Sequence, residues 1–305
     1  MDAQSIIDGA PLILTEGAVS GRLQHAPGVK LHPTLFNTPL IYHDKEARHM
    51  KAIYKQYRDI AMSAHLPFLF CAPTWRVDRD RLSNAGFDAS LLRDAISFAR
   101  SMQDEWQHPD SPVIAGGLIG PQNDCYRADQ ALSSDDSAAY HAWQINELVT
   151  TGLDCIVAQT IPAVSEAMGM ALLLGRTETP YIISFVIDKK GVILDGTPLM
   201  DGIAAIDSQI ERPPLGYMVN CVYPSFINAE KQQSALFRRL IGIQANSSSR
   251  DHTELDGATI IHQDDLHHWG TTMLELHHRY GIKILGGCCG TDDTYLRYLV
   301  EHMAQ

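Results

Sequence analysis

The chain is 305 residues long, with 24 Lys plus Arg against 36 Asp plus Glu, a formal charge of −12 at neutral pH. That acidic balance offers no positive field to a phosphate backbone or an anionic bilayer, which excludes nucleic acid and membrane surfaces as main partners. Apolar residues at 45% and charged residues at 20% can fill a core, which excludes a disordered chain.

The opening segment MDAQSIIDGA has no basic stretch followed by an apolar one, so no secretory signal is expected and the cytoplasm is the expected compartment. No apolar run of about 18 residues suggests a membrane span. Apolar, β-branched runs then recur at 12–17, 67–74, 112–120, 153–160, 181–188, 215–221, 239–246 and 282–289. They are continuous rather than alternating, as in parallel strands covered on the outside. Amphipathic stretches lie between them, among them 44–64 and 138–152. In the second, Tyr140, Trp143, Ile145, Leu148 and Val149 have the spacing of one helical face. Eight such βα units in about 300 residues predict a closed (β/α)8 TIM barrel, a single domain over 1–305, rather than an open doubly wound sheet. The first βα connection, about 18–43, is long enough to lie over the barrel mouth.

Chemistry in such barrels sits where strands end. The predicted strand ends carry Glu16–Gly17, Thr74–Trp75, Gly120–Pro121, Gln159–Thr160, Asn220–Cys221 and Cys288–Cys289. Six cysteines are too few for a disulfide scaffold in a chain this long, so their placement carries the information, and three of them fall at strand ends. Adjacent residues of a regular strand point to opposite faces, yet the flanking glycines of Gly286-Gly287-Cys288-Cys289-Gly290 let the backbone aim both sulfurs at one point. Alone, that pair also fits two small core residues or a labile disulfide. Cys221, at the end of a strand two places away, favours a three-thiolate zinc site with an open fourth position. Such a centre suits a substrate thiol that loses its proton and stays nucleophilic, more than it suits hydrolysis.

Other features read as ordinary structure. Trp75 and Tyr223 near strand ends fit either packing or the face for an onium methyl donor. His262, His267, His268, His277 and His278 read as a solvated helix face, since His267 and His278 stand about 16 Å apart along a helix. GGLIGP (116–121) reads as a tight βα turn, without the lysine ending of a phosphate loop. Cys71, Cys125 and Cys155 read as buried, and Glu166 and Asp188 as surface or strand-end charges.

The sequence resembles the homocysteine S-methyltransferase family, which includes betaine–homocysteine and S-methylmethionine–homocysteine methyltransferases. The resemblance is carried by GGCCG (286–290), Asn220-Cys221, ILTEGAVSGRL (13–23), GLIGP (117–121) and GLDCIVAQTIPAVSEA (152–167), in family order along nearly the whole chain. It implies zinc held by Cys221, Cys288 and Cys289, and methyl transfer to the sulfur of homocysteine, forming methionine. The substrate thiolate would be the nucleophile, with no separate catalytic base. S-Methylmethionine, S-adenosylmethionine and betaine all fit as onium donors, and no cobalamin- or folate-binding module is evident. By the same resemblance Glu16 lies near the homocysteine amino group, Gly17 offers backbone N–H groups to its carboxylate, and Asn220 sits beside the metal; Thr74, at a strand end next to Trp75, offers a substrate-binding hydroxyl by its position alone. The chain departs from the family at Gln159, where Glu is usual. Loss of that charge implies weaker binding of an α-amino group, or a different thiol or selenol acceptor, and Gln159→Glu should then improve homocysteine turnover. A zinc-binding or redox-sensing barrel without transferase activity is the reading from a different class. Oligomeric state is open.

Overall fold

Eight strands follow the eight apolar runs: β1 (Ile13–Thr15), β2 (Phe68–Cys71), β3 (Val113–Ile119), β4 (Cys155–Ile161), β5 (Tyr181–Phe185), β6 (Gly216–Val222), β7 (Leu240–Ala245) and β8 (Ile284–Gly287). The computed structural model describes residues 2–255 and 260–303. Each strand runs parallel to its neighbours, and β8 pairs with β1 at Ile13–Ile284 and Leu14–Leu285, which closes the barrel. Several strands are shorter than the apolar runs. β2 stops at Cys71, ahead of Pro73, and β8 stops at Gly287, where the Thr291 N–H closes a turn on the Cys288 carbonyl at 3.2 Å.

The inner face of the barrel changes character along the strands. Near its floor Ile13, Leu69, Ile114, Val157, Ile182, Met218 and Ile284 pack together, sealed below by Ala3, Ile6 and Ile7 of the first helix (Ala3–Gly9). Two residues further along a strand the same face returns. There β1, β4, β5 and β6 present Thr15, Gln159, Ser184 and Asn220, and β7 adds Gln244. An apolar floor therefore carries a polar ring at the C-terminal mouth.

The outer layer is helical. The helix Asp44–Ser63 buries Met50, Ile53, Tyr54, Tyr57, Ile60 and Ala61, a face spaced by three and four residues. Each large apolar side chain buried this way contributes on the order of 1.5–3 kcal/mol. Tyr57 also donates its hydroxyl to the Ala18 carbonyl at 2.9 Å, and so ties the segment after β1 to this helix. The helix Ser134–Val149 departs from the expected face. Tyr140, Trp143 and Val149 are only half-buried, whereas His141 and Gln144 are buried beside Ile145 and Leu148. Gln144 can be buried because its Nε2 donates to the Thr74 and Leu118 carbonyls at 2.8 and 3.3 Å.

The long first connection folds onto the mouth. Leu23 and Leu35 are fully buried, Thr38 Oγ1 donates to the Pro73 carbonyl at 2.5 Å, and the Phe36 ring meets Trp75 edge-on at 5.5 Å. Among the described residues no helix is long and apolar enough to cross a membrane.

Candidate metal centre and active site

Three sulfurs converge at the mouth. The Sγ atoms of Cys221, Cys288 and Cys289 all lie within 4.8 Å of one another, with Cys221 and Cys288 at 2.8 Å. Zinc–sulfur bonds of about 2.3 Å at tetrahedral angles set sulfurs roughly 3.8 Å apart, so the trio fits one ion once the closest pair opens. No other His, Asp or Glu joins the cluster among the described residues, which leaves a fourth position for a substrate atom. Hydrogen bonds from Cys221 and Cys288 hold the Cys289 thiol well below its ordinary range. Those with Cys288 and Cys289, together with burial, push Cys221 up. For Cys288 the bond with Cys221 is lowering, but Cys289 and burial outweigh it.

The backbone around these thiols is irregular where the chemistry needs it. Cys221 has φ +54° and Thr160 has φ +66°, left-handed values that are unusual without glycine. The strand registers slip at the same places, between Ala158 and Ile161 and between Asn220 and Val222. Such bulges re-aim side chains, and here they let Asn220 and Cys221 both serve the mouth. Asn220 holds the two bulges together. Its Oδ1 accepts from the Thr160 N–H at 2.9 Å and Ser184 Oγ at 2.7 Å, and its Nδ2 donates to Thr160 Oγ1 at 2.8 Å and Cys221 Sγ at 3.4 Å. On the other side, the Cys288 N–H donates to the Ala245 carbonyl at 2.7 Å and the Cys289 N–H to Asn246 Oδ1 at 3.1 Å. Gly290, with φ +78°, closes this turn where a Cβ would strike Ser247 Oγ.

Glu16 is tied by its backbone to the end of β8, since the Gly287 N–H donates to its carbonyl at 3.1 Å. Its carboxylate accepts from Thr15 Oγ1 at 2.9 Å and the Cys71 N–H at 3.3 Å, and burial pushes it up to about 7. Gly17 follows it against the Tyr57 ring, where a Cβ would come within 2.9 Å of Tyr57 Oη. Gln159 reaches across the barrel and donates through Nε2 to Gln244 Oε1.

The family model for homocysteine S-methyltransferase matches residues 13–303, a span that takes in all eight strands and every residue of this mouth. The chain belongs to the homocysteine S-methyltransferase family. Among relatives, homocysteine S-methyltransferase YbgG of Bacillus subtilis (strain 168) is 27% identical over 313 residues, covering 94% of this chain and 93% of its own. The homocysteine S-methyltransferase of Escherichia coli (strain K12) is 22% identical over 312 residues, with 94% of each chain covered. Among solved structures, the metallated form of the homocysteine methyltransferase MmuM from Escherichia coli superposes with a TM-score of 0.76 at 18% identity, over 97% of this chain and 98% of that one. At that identity the superposition speaks to the barrel alone.

Within this member of the homocysteine S-methyltransferase family, the remaining residues singled out in the sequence fall into place. Thr74 is fully buried, and its hydroxyl is occupied by the Leu118 backbone, donating to the carbonyl at 2.8 Å and accepting from the N–H at 2.9 Å. Trp75 donates Nε1 to the Gln159 carbonyl at 3.1 Å, and the Arg76 guanidinium lies 4.3 Å over its ring. That face already holds a cation. Tyr223 is buried against Phe226 and His268. His267, His268 and His278 are exposed on the helix Leu266–Tyr280, and His262 precedes it in the loop. Cys71 and Cys155 lie in the barrel interior, where burial pushes both thiols up, and Cys125 is buried.

Glu166 corrects the sequence reading. It is fully buried rather than a surface charge, because its Oε1 accepts from the Gln122 N–H at 2.9 Å and faces His141 Nε2 at 3.3 Å. Sequence reasoning also missed Thr15, Ser184 and Gln244 of the polar ring, and Tyr126. Burial and the nearness of Cys221 and Cys289 push the Tyr126 phenol up, and its ring stacks on His252 at 4.8 Å.

Proposed function

We propose that the chain is a zinc-dependent S-methyltransferase that moves a methyl group from an onium-type donor to the sulfur of homocysteine, forming methionine. The observation that carries this reading is the convergence of three thiols on one open position at the barrel mouth. Soft thiolate donors with a free fourth place suit zinc. Zinc bound by Cys221, Cys288 and Cys289 supplies a Lewis-acidic centre that favours the deprotonated form of an acceptor thiol.

The protein's own residues orient the partners. Ionised Glu16 accepts the acceptor's ammonium in a charge-assisted bond, about twice as strong as a neutral one. Gly17, pressed against Tyr57, brings backbone N–H groups to its carboxylate. Asn220 steadies the sulfur of Cys221. In the transfer, the acceptor thiol gives its proton to solvent and its sulfur forms the new S–CH3 bond. The donor's onium–CH3 bond breaks, and the donor leaves as a neutral sulfide or amine with the electron pair. Orientation and prior deprotonation supply the rate. Trp75 is a poor onium seat because Arg76 covers it, so we place the donor nearer Tyr126. The reaction belongs in the cytoplasm, where reducing conditions keep the three thiols free.

The test is methionine formation, read by mass spectrometry from reduced, zinc-loaded protein with homocysteine and each of S-methylmethionine, S-adenosylmethionine and betaine. A chelator-sensitive signal supports the reading and ranks the donors. Gln159 favours a second reading, transfer to another thiol or selenol. Turnover of such an acceptor, with no methionine from protein that retains zinc, would replace the first.

A further inference from the structure

The carboxylate of Glu16 fixes the direction of each hydrogen bond in the path that leads to it. An ionised carboxylate only accepts, so Thr15 Oγ1 gives its proton to Glu16 Oε2. The Thr15 oxygen then accepts from Gln244 Nε2 at 3.2 Å. This turns Gln244 Oε1 toward Gln159, whose Nε2 donates to it, so that Oε1 is the Gln159 amide atom the path leaves unused. Thr15, Gln159 and Gln244 belong to β1, β4 and β7, none of them neighbours in the barrel, so the path crosses the interior. Protonation of Glu16 reverses it. With Oε1 still accepting from the Cys71 N–H, the protonated Oε2 donates to Thr15 Oγ1, Thr15 donates to Gln244 Oε1, Gln244 Nε2 donates to Gln159 Oε1, and Gln159 then offers N–H groups.

We propose that Gln244 and Thr15 are positioning residues of a reversible amide relay that sets the free atom of Gln159. Glu16 and Gln159 thereby accept the ammonium of an α-amino thiol together, and turn it away together. The proposal rests on the acceptor reading given above. Since burial pushes Glu16 up to about 7, the reversal falls near neutral pH. The other titratable groups that face Glu16 are Tyr54, Cys71 and Cys155, each pushed up by burial and neutral in that range. The relay also gives Gln at 159 a physical reason. A carboxylate there has no proton for Gln244 Oε1, so Glu at 159 would hold the amide reversed and draw the Thr15 proton away from Glu16.

Binding to zinc-loaded, reduced protein, measured by calorimetry, tests the relay with homocysteine and its desamino analogue γ-mercaptobutyrate. Both ligands carry the thiol, so its ionisation cancels in the comparison. Between about pH 6 and about pH 8 the ratio of homocysteine to analogue affinity should rise roughly tenfold in the wild type. At the higher pH, Gln244→Met should lower homocysteine affinity roughly tenfold and leave the analogue within about twofold. Gln159→Met should do the same, and the double variant should be no weaker than either single one. Equal weakening of both ligands, additive losses in the double variant, or a ratio independent of pH would overturn the relay. Homocysteine failing to bind the wild type would overturn relay and acceptor reading together. The expected binding pattern without methyl transfer would leave the relay standing and remove the transferase reading.

Discussion

Asn220 and Cys221 are neighbours in sequence whose side chains also meet, with Asn220 Nδ2 donating to Cys221 Sγ at 3.4 Å. On a regular strand they would point apart. The left-handed turn at Cys221 brings them together, and the Asn220 carboxamide also fastens Thr160 and Ser184. Asn220→Leu keeps the volume and removes all four hydrogen bonds. It should cost roughly 2–4 kcal/mol of stability, through buried groups left unpaired, and weaken zinc binding about 10- to 100-fold. Urea unfolding and competition with a chelating dye measure the two effects. A variant less stable but with unchanged zinc affinity would show that Asn220 braces the barrel and not the metal.

The thiol cluster makes a sharper prediction. Cys221→Ser, Cys288→Ser and Cys289→Ser should each lose most of the bound zinc and all methionine formation. Cys155→Ala, in the barrel interior, should cost about 1–2 kcal/mol and leave zinc in place, because it removes only a small buried hydrophobe. Metal analysis of the four purified proteins decides the matter. Full zinc occupancy in all three serine variants would refute the site.

Glu16 ties stability to pH. Its carboxyl is pushed up from an ordinary 4.5 to about 7 by burial, so the folded state holds the proton more tightly than the unfolded chain. The stabilisation from that proton is full below about 4.5 and is lost as pH rises through about 7. Its size is on the order of 3 kcal/mol, at about 1.4 kcal/mol per unit. Glu16→Gln removes the titration. Its stability relative to wild type should therefore improve by that order between about pH 5 and about pH 8, while its affinity for homocysteine falls at the higher pH. Parallel denaturation curves with a constant difference across that range would contradict the assignment.

Much of this architecture was legible from residues alone, for a physical reason. A strand buried on both faces must be apolar throughout, so eight continuous runs stand out, and all eight are strands. Cys221, Cys288 and Cys289 were legible because each stands at a strand end beside a turn-forming or polar neighbour. The bulges at Thr160 and Cys221 were not, since nothing in Gln159-Thr160 or Asn220-Cys221 announces a left-handed backbone without glycine. Gln244 was hidden inside an apolar strand, between Ile243 and Ala245. Its only mark is that it lies two residues beyond Gly242, the position whose Cβ would meet Met218 and Ile284 of the barrel interior. The helix Ser134–Val149 misled because His141 and Gln144 read as polar, although their hydrogen bonds let them go inside.

Glu166 carries the last prediction. It is the sole charged residue of the helix Val164–Leu174, which is otherwise apolar but for Ser165, and that isolation is the signal that it faces a partner. Its partners are the Gln122 N–H and His141. Gln122 follows the end of β3, so Glu166 anchors the loop that carries Tyr126 to the thiols. Glu166→Ala leaves a half-buried N–H and a buried imidazole without their acceptor, and should cost roughly 3 kcal/mol. Glu166→Gln keeps an acceptor oxygen for Gln122 and should cost less than half as much. Hydrogen exchange separates local from global effects: amides at 122–127 should exchange faster in the alanine variant, while those of β3 keep their protection relative to the new global stability. Methyl transfer should fall with the loop, because Tyr126 loses its fixed place. Uniform loss of protection across the barrel, with transfer unchanged per folded molecule, would assign Glu166 to the core alone.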